Sequence, residues 1–560
     1  MSSSLPCVRA GLLVLAWMTA TALGLTRPDH HALENPPVIV TGGLIKGRCN
    51  AAGICSYLGI PYAAPPVGDL RWAPPQPPAR WPGVRDATRP GAICPQHAVV
   101  PFSDLPHDES CLFLNVWAPK GACPEASCPV MFWIHGGAYS EGSGLDVNGT
   151  TFVEMARNVV VVTINYRLGF LGFAGAEALR SRDPLGSTGN YGIQDQRFAM
   201  EWVQQNIHRF GGDKNNVLIF GQSAGSASVA NHMVNNRSRH LYHKAIMESG
   251  PLAFWSARPM SQAEEQFAGV ASAAKCDQGG DAVKCLAAMD AGELLNISIM
   301  AWGAGYGKYG EPFGAPTVDG VEMSQFPWES MRQGKFNKEV PVMIGVNKDE
   351  GTTGMAQLAR EKGYDLTEHD FKTLVASAYG PEHVQDILDA YRVGSEPEYT
   401  NWYWSYTHVH GDPGQQCPTR RLARAICKWR KVFVYYYAHT PRGTPPAVSW
   451  APGVNGSGGA FHAAELQFVW QLQHNSTQWP SMMSDDELQL ARNMSAYWLN
   501  FAVHSDPNSA AGGMRTEVSQ QWPKYSCSQG EVLTFDLPSL RATAMPFERQ
   551  CDMIDALDLP

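Results

Sequence analysis

Charged residues are scarce in this chain. They make up 17% of its 560 residues, with 43 lysines and arginines against 52 aspartates and glutamates, so the formal net charge is −9. Nucleic-acid-binding proteins usually carry a basic patch, and this balance argues against a nucleic-acid partner. Hydrophobic residues reach 44% and aromatic residues 10%. That content is enough to bury a large core, which excludes a disordered chain.

The sequence also lacks internal repeats, low-complexity linkers and a Gly-X-Y period, although it contains 54 glycines and 40 prolines. A collagen-like protein is therefore excluded. A length of roughly 150 residues per domain would suggest three or four domains. One large α/β unit with long insertions fits the length equally well, and we expect a single domain over residues 25–560.

Long hydrophobic runs are rare. The run near the N-terminus follows Arg9 and is about 15 residues long, which is shorter than the roughly 20 residues that span a bilayer. Small residues at Ala22 and Gly24 suit cleavage after Gly24, so residues 1–24 are predicted to be a secretory signal peptide. The C-terminus resembles neither an ER-retrieval signal nor a lipid-anchor tail. We expect a secreted, extracellular protein without stable membrane insertion.

The cysteines include no CxxC pair, which gives little support to a zinc ribbon or a thioredoxin-like site. There are 13 cysteines, and removal of Cys7 with the signal peptide leaves an even number, as disulfides in an oxidising compartment require. Pairs close in sequence are Cys49 with Cys55, Cys123 with Cys128, and Cys276 with Cys285, while Cys94 with Cys111 would close a longer loop. The last four, Cys417, Cys427, Cys527 and Cys551, allow three pairings.

Six N-x-[ST] motifs are candidate glycosylation sites in a secreted chain. They are Asn148, Asn236, Asn296, Asn455, Asn475 and Asn493.

Strand-like and helix-like patterns alternate along the chain. Short apolar runs predict buried strands at residues 131–134, 159–164, 217–220, 246–247 and 342–346, and helical spacing predicts helices over 193–207, 224–233 and 485–504. Such alternation is typical of a mostly parallel sheet covered by helices on both faces. Residues 355–430 are expected to be a mainly helical insertion that covers the sheet.

The strongest motif is Gly221-Gln222-Ser223-Ala224-Gly225, a G-x-S-x-G sequence between a predicted strand and a predicted helix. A serine on a tight strand-to-helix turn is held in a strained conformation with its hydroxyl exposed, and the flanking glycines let neighbouring backbone approach closely. The helix N-terminus stabilises the negative charge that develops beside it. Ser223 is therefore a candidate nucleophile.

A second motif, His135-Gly136-Gly137-Ala138, ends an earlier predicted strand. Attack on an ester carbonyl creates an oxyanion, and backbone N–H donors must already be oriented toward it. Together with the amide of Ala224, this motif predicts an oxyanion hole.

A serine nucleophile needs a base and an orienting acid, in the chain order Ser, acid, His. Asp349 and Glu350 follow a predicted strand, and both qualify chemically. Candidate bases are His408, His410, His439, His462 and His474. His462 lies between a glycine-rich segment and a helix-like segment, which suits a mobile imidazole. A histidine in an aromatic strand, such as His439, is more typical of a core.

From about residue 36 to about residue 545, the sequence resembles the type-B carboxylesterase and cholinesterase family of α/β-hydrolases. The matching stretches are residues 57–63, 109–117, 165–169, 210–213 ahead of the serine motif, 349–351 and 461–466. The resemblance implies an α/β-hydrolase fold: a mostly parallel central sheet with helices on both faces and helical insertions.

By this resemblance, Ser223 is the nucleophile, Glu350 the acid and His462 the base. The implied oxyanion donors are Gly137, Ala138 and Ala224, with Gly136 beside them. The implied activity is that of a serine carboxylesterase that hydrolyses small-molecule esters through an acyl-enzyme, without a metal or an organic cofactor.

The resemblance also implies scaffold contacts. The implied disulfides are Cys94–Cys111, Cys276–Cys285 and Cys417–Cys527, which leaves Cys427 with Cys551 by subtraction. Arg71 with Glu109, and Arg167 with Asp195, resemble structural ion pairs of the family.

Three departures refine the expected substrate. Ser110 replaces an acid that usually precedes the cysteine, a change expected to be harmless. Gln222 stands where cholinesterases carry Glu, and the loop between Cys94 and Cys111 has 16 residues and no tryptophan. Cholinesterases use a tryptophan there to bind a quaternary ammonium through a cation–π contact. A general carboxylesterase is therefore favoured over a choline esterase.

Three other functions stay open. The same fold and triad serve lipases that act on long acyl chains. The G-Q-S-A-G form also occurs among insect hormone esterases. Non-catalytic adhesion proteins share the fold, but they typically lose a member of the triad, whereas all three candidates are present here. The sequence predicts no oligomeric state and selects no acyl or alcohol group.

Overall fold

The computed structural model describes residues 36–96, 105–121, 123, 127–302, 314–355, 358, 362–442, 458–472, 483–509, 520–528 and 530–557. The predicted signal peptide, the motifs at Asn455 and Asn475, and the candidate base His474 lie outside the described residues.

The described strands are short at the N-terminus and longer in the sheet centre. They are β1 Val38–Val40, β2 Gly43–Lys46, β3 Arg48–Cys49, β4 Ile54–Pro61, β5 Val84–Asp86, β6 Phe113–Pro119, β7 Cys128–Ile134, β8 Val160–Ile164, β9 Gly212–Gln222, β10 Lys244–Glu248, β11 Arg258–Pro259, β12 Thr317–Val318, β13 Val342–Asn347, β14 Val432–Tyr437, β15 Glu531–Phe535 and β16 Arg541–Ala544.

The helices lie mainly between these strands and after them. The α-helices are α1 Thr150–Ala156, α2 Gly169–Phe173, α3 Tyr191–Asn206, α4 Ala224–Val234, α5 Met260–Ala273, α6 Ala282–Ala287, α7 Ala291–Trp302, α8 Pro327–Arg332, α9 Glu368–Tyr379, α10 Val384–Ala390, α11 Trp402–Gly411, α12 Cys417–Ile426, α13 Leu466–Val469, α14 Asp485–His504 and α15 Glu548–Ala556. Short 3-10 helices are Gly68–Leu70, Glu177–Arg182, Ile207–Phe210, Phe254–Ser256, Glu350–Met355 and Pro381–His383, and Asp412–Gln416 is a π-helical turn.

Within the described residues, eleven strands form one sheet in the order β16-β15-β14-β13-β10-β9-β7-β8-β6-β4-β3. The central strands from β8 to β15 in this order run parallel. The pairs toward both edges are antiparallel: β15 with β16 at one edge, and β8 with β6, β6 with β4 and β4 with β3 at the other. The predicted mostly parallel sheet is confirmed.

Two hydrophobic cores cover the two faces of the sheet, because successive side chains of a strand point to opposite sides. In β7, Val130, Phe132 and Ile134 belong to one core, and Met131 and Trp133 to the other. All residues of β8 and β13 are buried. Coverage on both faces explains why these strands are continuous apolar runs rather than alternating ones.

The segments predicted from apolar spacing fold as expected, with small shifts at their ends. The helix predicted over 193–207 is α3, the one predicted over 224–233 is α4, and the one predicted over 485–504 coincides with α14. The expected helical insertion at 355–430 contains α9, α10, α11 and α12. No helix among the described residues is long and apolar enough to cross a membrane.

Six disulfide bonds join described cysteines, and four of them agree with the expected pairs: Cys49–Cys55, Cys94–Cys111, Cys123–Cys128 and Cys276–Cys285. The expected ion pairs are also present, Arg71 with Glu109 and Arg167 with Asp195, the latter at 2.7 Å.

The implied bonds Cys417–Cys527 and Cys427–Cys551 are wrong. The structure joins Cys417 to Cys551 and Cys427 to Cys527. Cys417 begins α12 and Cys427 directly follows it, so the helical rise separates them by roughly 15 Å. Each partner lies at a different end of this helix. Cys551 belongs to α15, which packs on α12, whereas Cys527 follows a segment bonded to Val432 at the start of β14.

Candidate active site

The serine motif forms a sharp turn between β9 and α4. Ser223 has φ 56° and ψ −123°, a strained conformation for a residue with a side chain. A Cβ atom on Gly221 or Gly225 would lie 2.5 Å or 2.1 Å from the carbonyl oxygen of Ile134. Both glycines are therefore required by the close approach of β7, as the motif predicts. Ser223 lines a cavity of about 280 Å³.

His462 lines the same cavity, although it lies far from Ser223 in the sequence, in the loop before α13. Its Nδ1 lies 2.5 Å from Oε2 of Glu350, which follows β13. The other oxygen of Glu350 accepts the Asn347 N–H at 2.7 Å. Burial would lower the pKa of His462, but the charge and hydrogen bond of Glu350, together with the charge of Glu465, outweigh burial and raise that pKa. Because a carboxylate only accepts, Nδ1 carries a proton, and in the neutral imidazole Nε2 keeps a lone pair.

Gln222 contacts the reactive nitrogen of this imidazole. Its side-chain Nε2 lies 3.1 Å from Nε2 of His462, so the amide donates to the imidazole lone pair. From the sequence, Gln222 was noted only because cholinesterases carry Glu at this position, and its contact with His462 was not predicted. Its position at the end of β9, next to the serine, was the available signal.

The glycine-rich motif after β7 lies directly against the serine turn. A Cβ on Gly136 would meet the Gln222 carbonyl oxygen at 2.7 Å and the Ser223 Cβ at 3.1 Å. Gly137 and Ala138 follow in left-handed conformations, with φ 95° and φ 51°, and Ala138 lines the cavity. In the described part of the chain, the N–H groups of Gly137 and Ala138 have no protein acceptor.

Ala224 is the first residue of α4, where a helix leaves its N–H groups unpaired. The structure therefore brings the four predicted oxyanion residues to the serine. His135 of the same motif is a scaffold residue: it is buried, stacks on Tyr166 at 4.3 Å and has its pKa lowered by burial to about 4.

Asp349, the alternative acid, faces away from His462. Its Oδ2 accepts the Ala460 N–H at 2.7 Å, and its Oδ1 lies 3.5 Å from Nε2 of His408. A β-bridge joins Asp349 to Phe461. Asp349 thus fixes the loop of Glu350 to the loop of His462, while Glu350 alone of the two acids contacts the imidazole.

The other described histidines fall into different environments. His439 is buried and its Nε2 lies 3.0 Å from Glu487, so it is a core residue as predicted. His408 is buried between Asp349 and Asp412, at 3.5 Å and 3.7 Å. These carboxylates outweigh burial and raise the pKa of His408 to about 9. His410 lines the cavity.

Comparison with known families agrees with this geometry. The family model described as "Carboxylesterase family" matches residues 34–554. This chain belongs to the carboxylesterase family. The fold is that of an α/β-hydrolase, and the protein is a carboxylic ester hydrolase.

Three curated relatives are similar over most of their length. Acylcarnitine hydrolase of Mus musculus is 33% identical over 531 residues, 90% of this chain and 88% of that enzyme. Cocaine esterase of Homo sapiens is 33% identical over 508 residues, which cover 87% of this chain and 84% of that enzyme. Fumonisin B1 esterase of Sphingopyxis macrogoltabida is 32% identical over 549 residues, which cover 94% of this chain and 92% of that enzyme. The crystal structure of a Geobacillus stearothermophilus carboxylesterase has a TM-score of 0.77 and 29% identity, covering 93% of this chain and all of that one.

Two further buried carboxylates of this carboxylesterase have raised pKa values, and sequence patterns gave no sign of them. Glu465 is bonded to the side-chain amide of Asn347, and burial, followed by the charge of Glu350, raises its pKa to about 7. Glu248 accepts the Trp498 indole N–H at 2.8 Å, and burial raises its pKa well above its ordinary value. Burial therefore disfavours the charged form of both groups.

The remaining cavity wall of this carboxylesterase is partly apolar. Phe254 is 45% exposed, and the indole N–H of Trp255 donates to the Gly414 carbonyl at 3.1 Å. This bond fixes Trp255 against the π-helical turn Asp412–Gln416. Among the described residues, no cluster of His, Cys, Asp and Glu side chains is arranged to hold a metal ion.

Proposed function

We propose that this protein is a secreted serine carboxylesterase with Ser223, His462 and Glu350 as its triad. The contact between His462 Nδ1 and Glu350 at 2.5 Å, in the cavity that Ser223 lines, is the observation that carries the proposal. An acid that orients the base, and a base beside a serine on a strained turn, are what nucleophilic acyl transfer needs.

In the proposed reaction, His462 takes the hydroxyl proton of Ser223 while Oγ bonds to the ester carbonyl carbon. The carbonyl oxygen becomes an oxyanion, which the N–H groups of Gly137, Ala138 and Ala224 stabilise. The imidazolium then gives its proton to the leaving alcohol. Water, deprotonated by the same imidazole, attacks the acyl-enzyme; the bond to Oγ breaks, the imidazolium returns its proton to Ser223, and the acid leaves.

The proposed substrates are neutral carboxylic esters rather than choline esters. Gln222 places an uncharged amide beside His462, and the loop closed by Cys94 and Cys111 contains no tryptophan. A cation site of the cholinesterase kind therefore has no counterpart in these two elements.

Export also belongs to the proposal: residues 1–24 are cleaved, and residues 25–560 form one domain. Six disulfides among the described residues suit an oxidising compartment. Asn148, Asn236 and Asn296 are exposed and can carry glycans, whereas Asn493 is half-buried in α14. N-terminal sequencing of protein secreted by cultured cells should begin at Leu25, and removal of N-glycans should lower its mass.

The decisive experiment compares the secreted wild type with Ser223→Ala on a soluble aryl ester and with a fluorophosphonate label. Wild type should turn over the ester and take up one label, and the variant should do neither while folding normally by circular dichroism. A variant with near-wild-type turnover would refute the assignment of Ser223. An inactive, unlabelled wild type would favour the adhesion alternative, and strong preference for emulsified over soluble esters would favour a lipase.

A further inference from the structure

A second imidazole lines the cavity beside the proposed triad. His410 lies in the last turn of α11, and its side chain is exposed to the cavity that Ser223 and His462 also line. Across the described part of the chain, neither ring nitrogen of His410 has a hydrogen-bond partner. The proposed acyl transfer makes no use of this residue.

The backbone of the acid-bearing segment is shaped to receive this ring. A Cβ atom on Gly354 would lie 2.2 Å from Nε2 of His410 and 2.8 Å from its Cδ2. The imidazole therefore rests directly on the main chain of the 3-10 helix Glu350–Met355, and any side chain at position 354 would displace it. Thr353, next to this glycine, also lines the cavity, and its buried hydroxyl has no partner in the structure as described.

His410 is an uncharged group at neutral pH. The residues around the cavity partly desolvate the ring, which lowers the pKa of His410 from the ordinary value of 6.5. A neutral imidazole offers one N–H donor and one lone pair. It therefore suits an uncharged oxygen, such as a hydroxyl or a ketone, and attracts a carboxylate much less than an imidazolium would.

The wall formed by Phe254 and Trp255 supplies apolar contact in the same cavity. A ligand that fills the cavity thus meets aromatic surface in one part and unpartnered polar atoms in another. The buried Thr353 hydroxyl is costly to leave without a partner, so a ligand oxygen that bonds there is favoured over a methylene group.

We propose that His410, seated on Gly354, forms a polar subsite that hydrogen-bonds an uncharged hydroxyl or carbonyl oxygen of the ester substrate, away from the scissile bond. The preferred substrates are then esters that carry such an oxygen on an otherwise apolar acyl or alcohol group. The inference rests on the proposed function, because it places this oxygen in the cavity of Ser223.

The test uses the full secreted protein and pairs of soluble esters that differ only by a hydroxyl or keto group in place of a methylene. The polar group is moved along the acyl chain and then along the alcohol. For the best-matched pair, wild type should show a kcat/KM ratio of roughly threefold to tenfold in favour of the oxygenated ester, as expected for one neutral hydrogen bond. The difference should lie mainly in KM.

Two variants should remove this ratio by different routes. His410→Phe removes the polar atoms, and Gly354→Ala pushes the imidazole from its seat, so in each variant the ratio should fall to about one. His410→Gln should keep part of it. The control is His383→Phe, a partly exposed histidine near Glu382 on the surface, which should leave the ratio unchanged.

The inference is overturned if wild type shows no preference at any position, or if the preference survives in both His410→Phe and Gly354→Ala. Wild type that hydrolyses neither ester, or Ser223→Ala that hydrolyses both, would instead refute the proposed function. Circular dichroism of each variant separates a lost subsite from a lost fold.

Discussion

The side-chain amide of Gln222 lies 3.1 Å from Nε2 of His462, the nitrogen that faces away from Glu350. The residue before the proposed nucleophile therefore touches the proposed base directly. The imidazole is held from both sides, by a carboxylate on Nδ1 and by a neutral amide on Nε2. The charge at position 222 should consequently set the protonation of His462.

Replacing Gln222 by Glu adds a negative charge beside Nε2, which stabilises the imidazolium and raises the pKa of His462 further. Since the base must be neutral to accept a proton, the rise of kcat/KM with pH should move to higher pH, with at least about a threefold loss at pH 6. Profiles from pH 5 to 9 measure this, with Gln222→Met as the uncharged control. A midpoint unchanged in Gln222→Glu would contradict the coupling.

Glu350 and Asp349 should differ sharply as triad acids. Glu350→Gln removes the charge that raises the pKa of His462, so kcat should fall by up to roughly 10⁴-fold. Wild-type kcat/KM should rise with increasing pH and have its midpoint above pH 6.5. The residual activity of Glu350→Gln should also rise with increasing pH, but with its midpoint at a lower pH than that of wild type. Asp349→Asn should keep most of kcat, because Asp349 does not contact the imidazole. Comparable losses in the two variants would show that the acid assignment is wrong.

His408 should make stability depend on pH. Its folded pKa, about 9, exceeds the ordinary value of 6.5, so its contribution is fully present below pH 6.5 and is lost as pH rises through 9. The contribution is at most about 3 kcal/mol. The Tm difference between wild type and His408→Leu should therefore be larger at pH 6 than at pH 9.5. His383→Leu is the matched surface control, and a difference that grows with pH would rule out this ion pair.

Choline esters should be poor substrates relative to neutral esters with the same acyl group. The reason is the neutral amide of Gln222 and the absence of tryptophan from the Cys94–Cys111 loop. Kinetics on a choline ester and its uncharged isostere measure this directly. Equal or higher kcat/KM on the choline ester would reveal a cation site elsewhere in the cavity.

Peptide mapping without reduction should recover Cys417 linked to Cys551, and Cys427 linked to Cys527. The physical reason is that α12 separates Cys417 from Cys427 by its own length. Mass spectrometry of the proteolysed secreted protein identifies the linked peptides. Recovery of a Cys417–Cys527 peptide would restore the pairing implied by family resemblance.

Much of the fold was predictable because its signals are local or periodic. The apolar runs of β8 and β13 require burial on both faces, and that requirement alone places them inside a parallel sheet. The signal for the serine turn is equally local, since the five residues of the G-x-S-x-G motif are contiguous, although its glycines make room for β7. Family resemblance selected Glu350 over Asp349, whereas His462 was already favoured by its place between a glycine-rich segment and a helix-like segment.

The pairing of the last four cysteines failed because it depends on which helices pack together. α15 lies against α12 through Arg420, which bonds to Glu548, Asp552 and Asp555. Nothing in the spacing of the cysteines encodes this contact. The same limitation hid Glu465 and Glu248, whose raised pKa values are a consequence of burial by distant segments.

The sequence by itself determined the strand-to-helix turn at Ser223 and the glycine motif after β7, because the signal for each lies in consecutive residues of the chain. Only the tertiary structure decided which groups meet His462. The bridge between Asp349 and Phe461 joins segments more than a hundred residues apart, and it sets Glu350 on one nitrogen of the imidazole while the end of β9 sets Gln222 on the other. The protonation of the groups around His462 depends on burial and on distances between such remote segments, and both are set only when the chain folds.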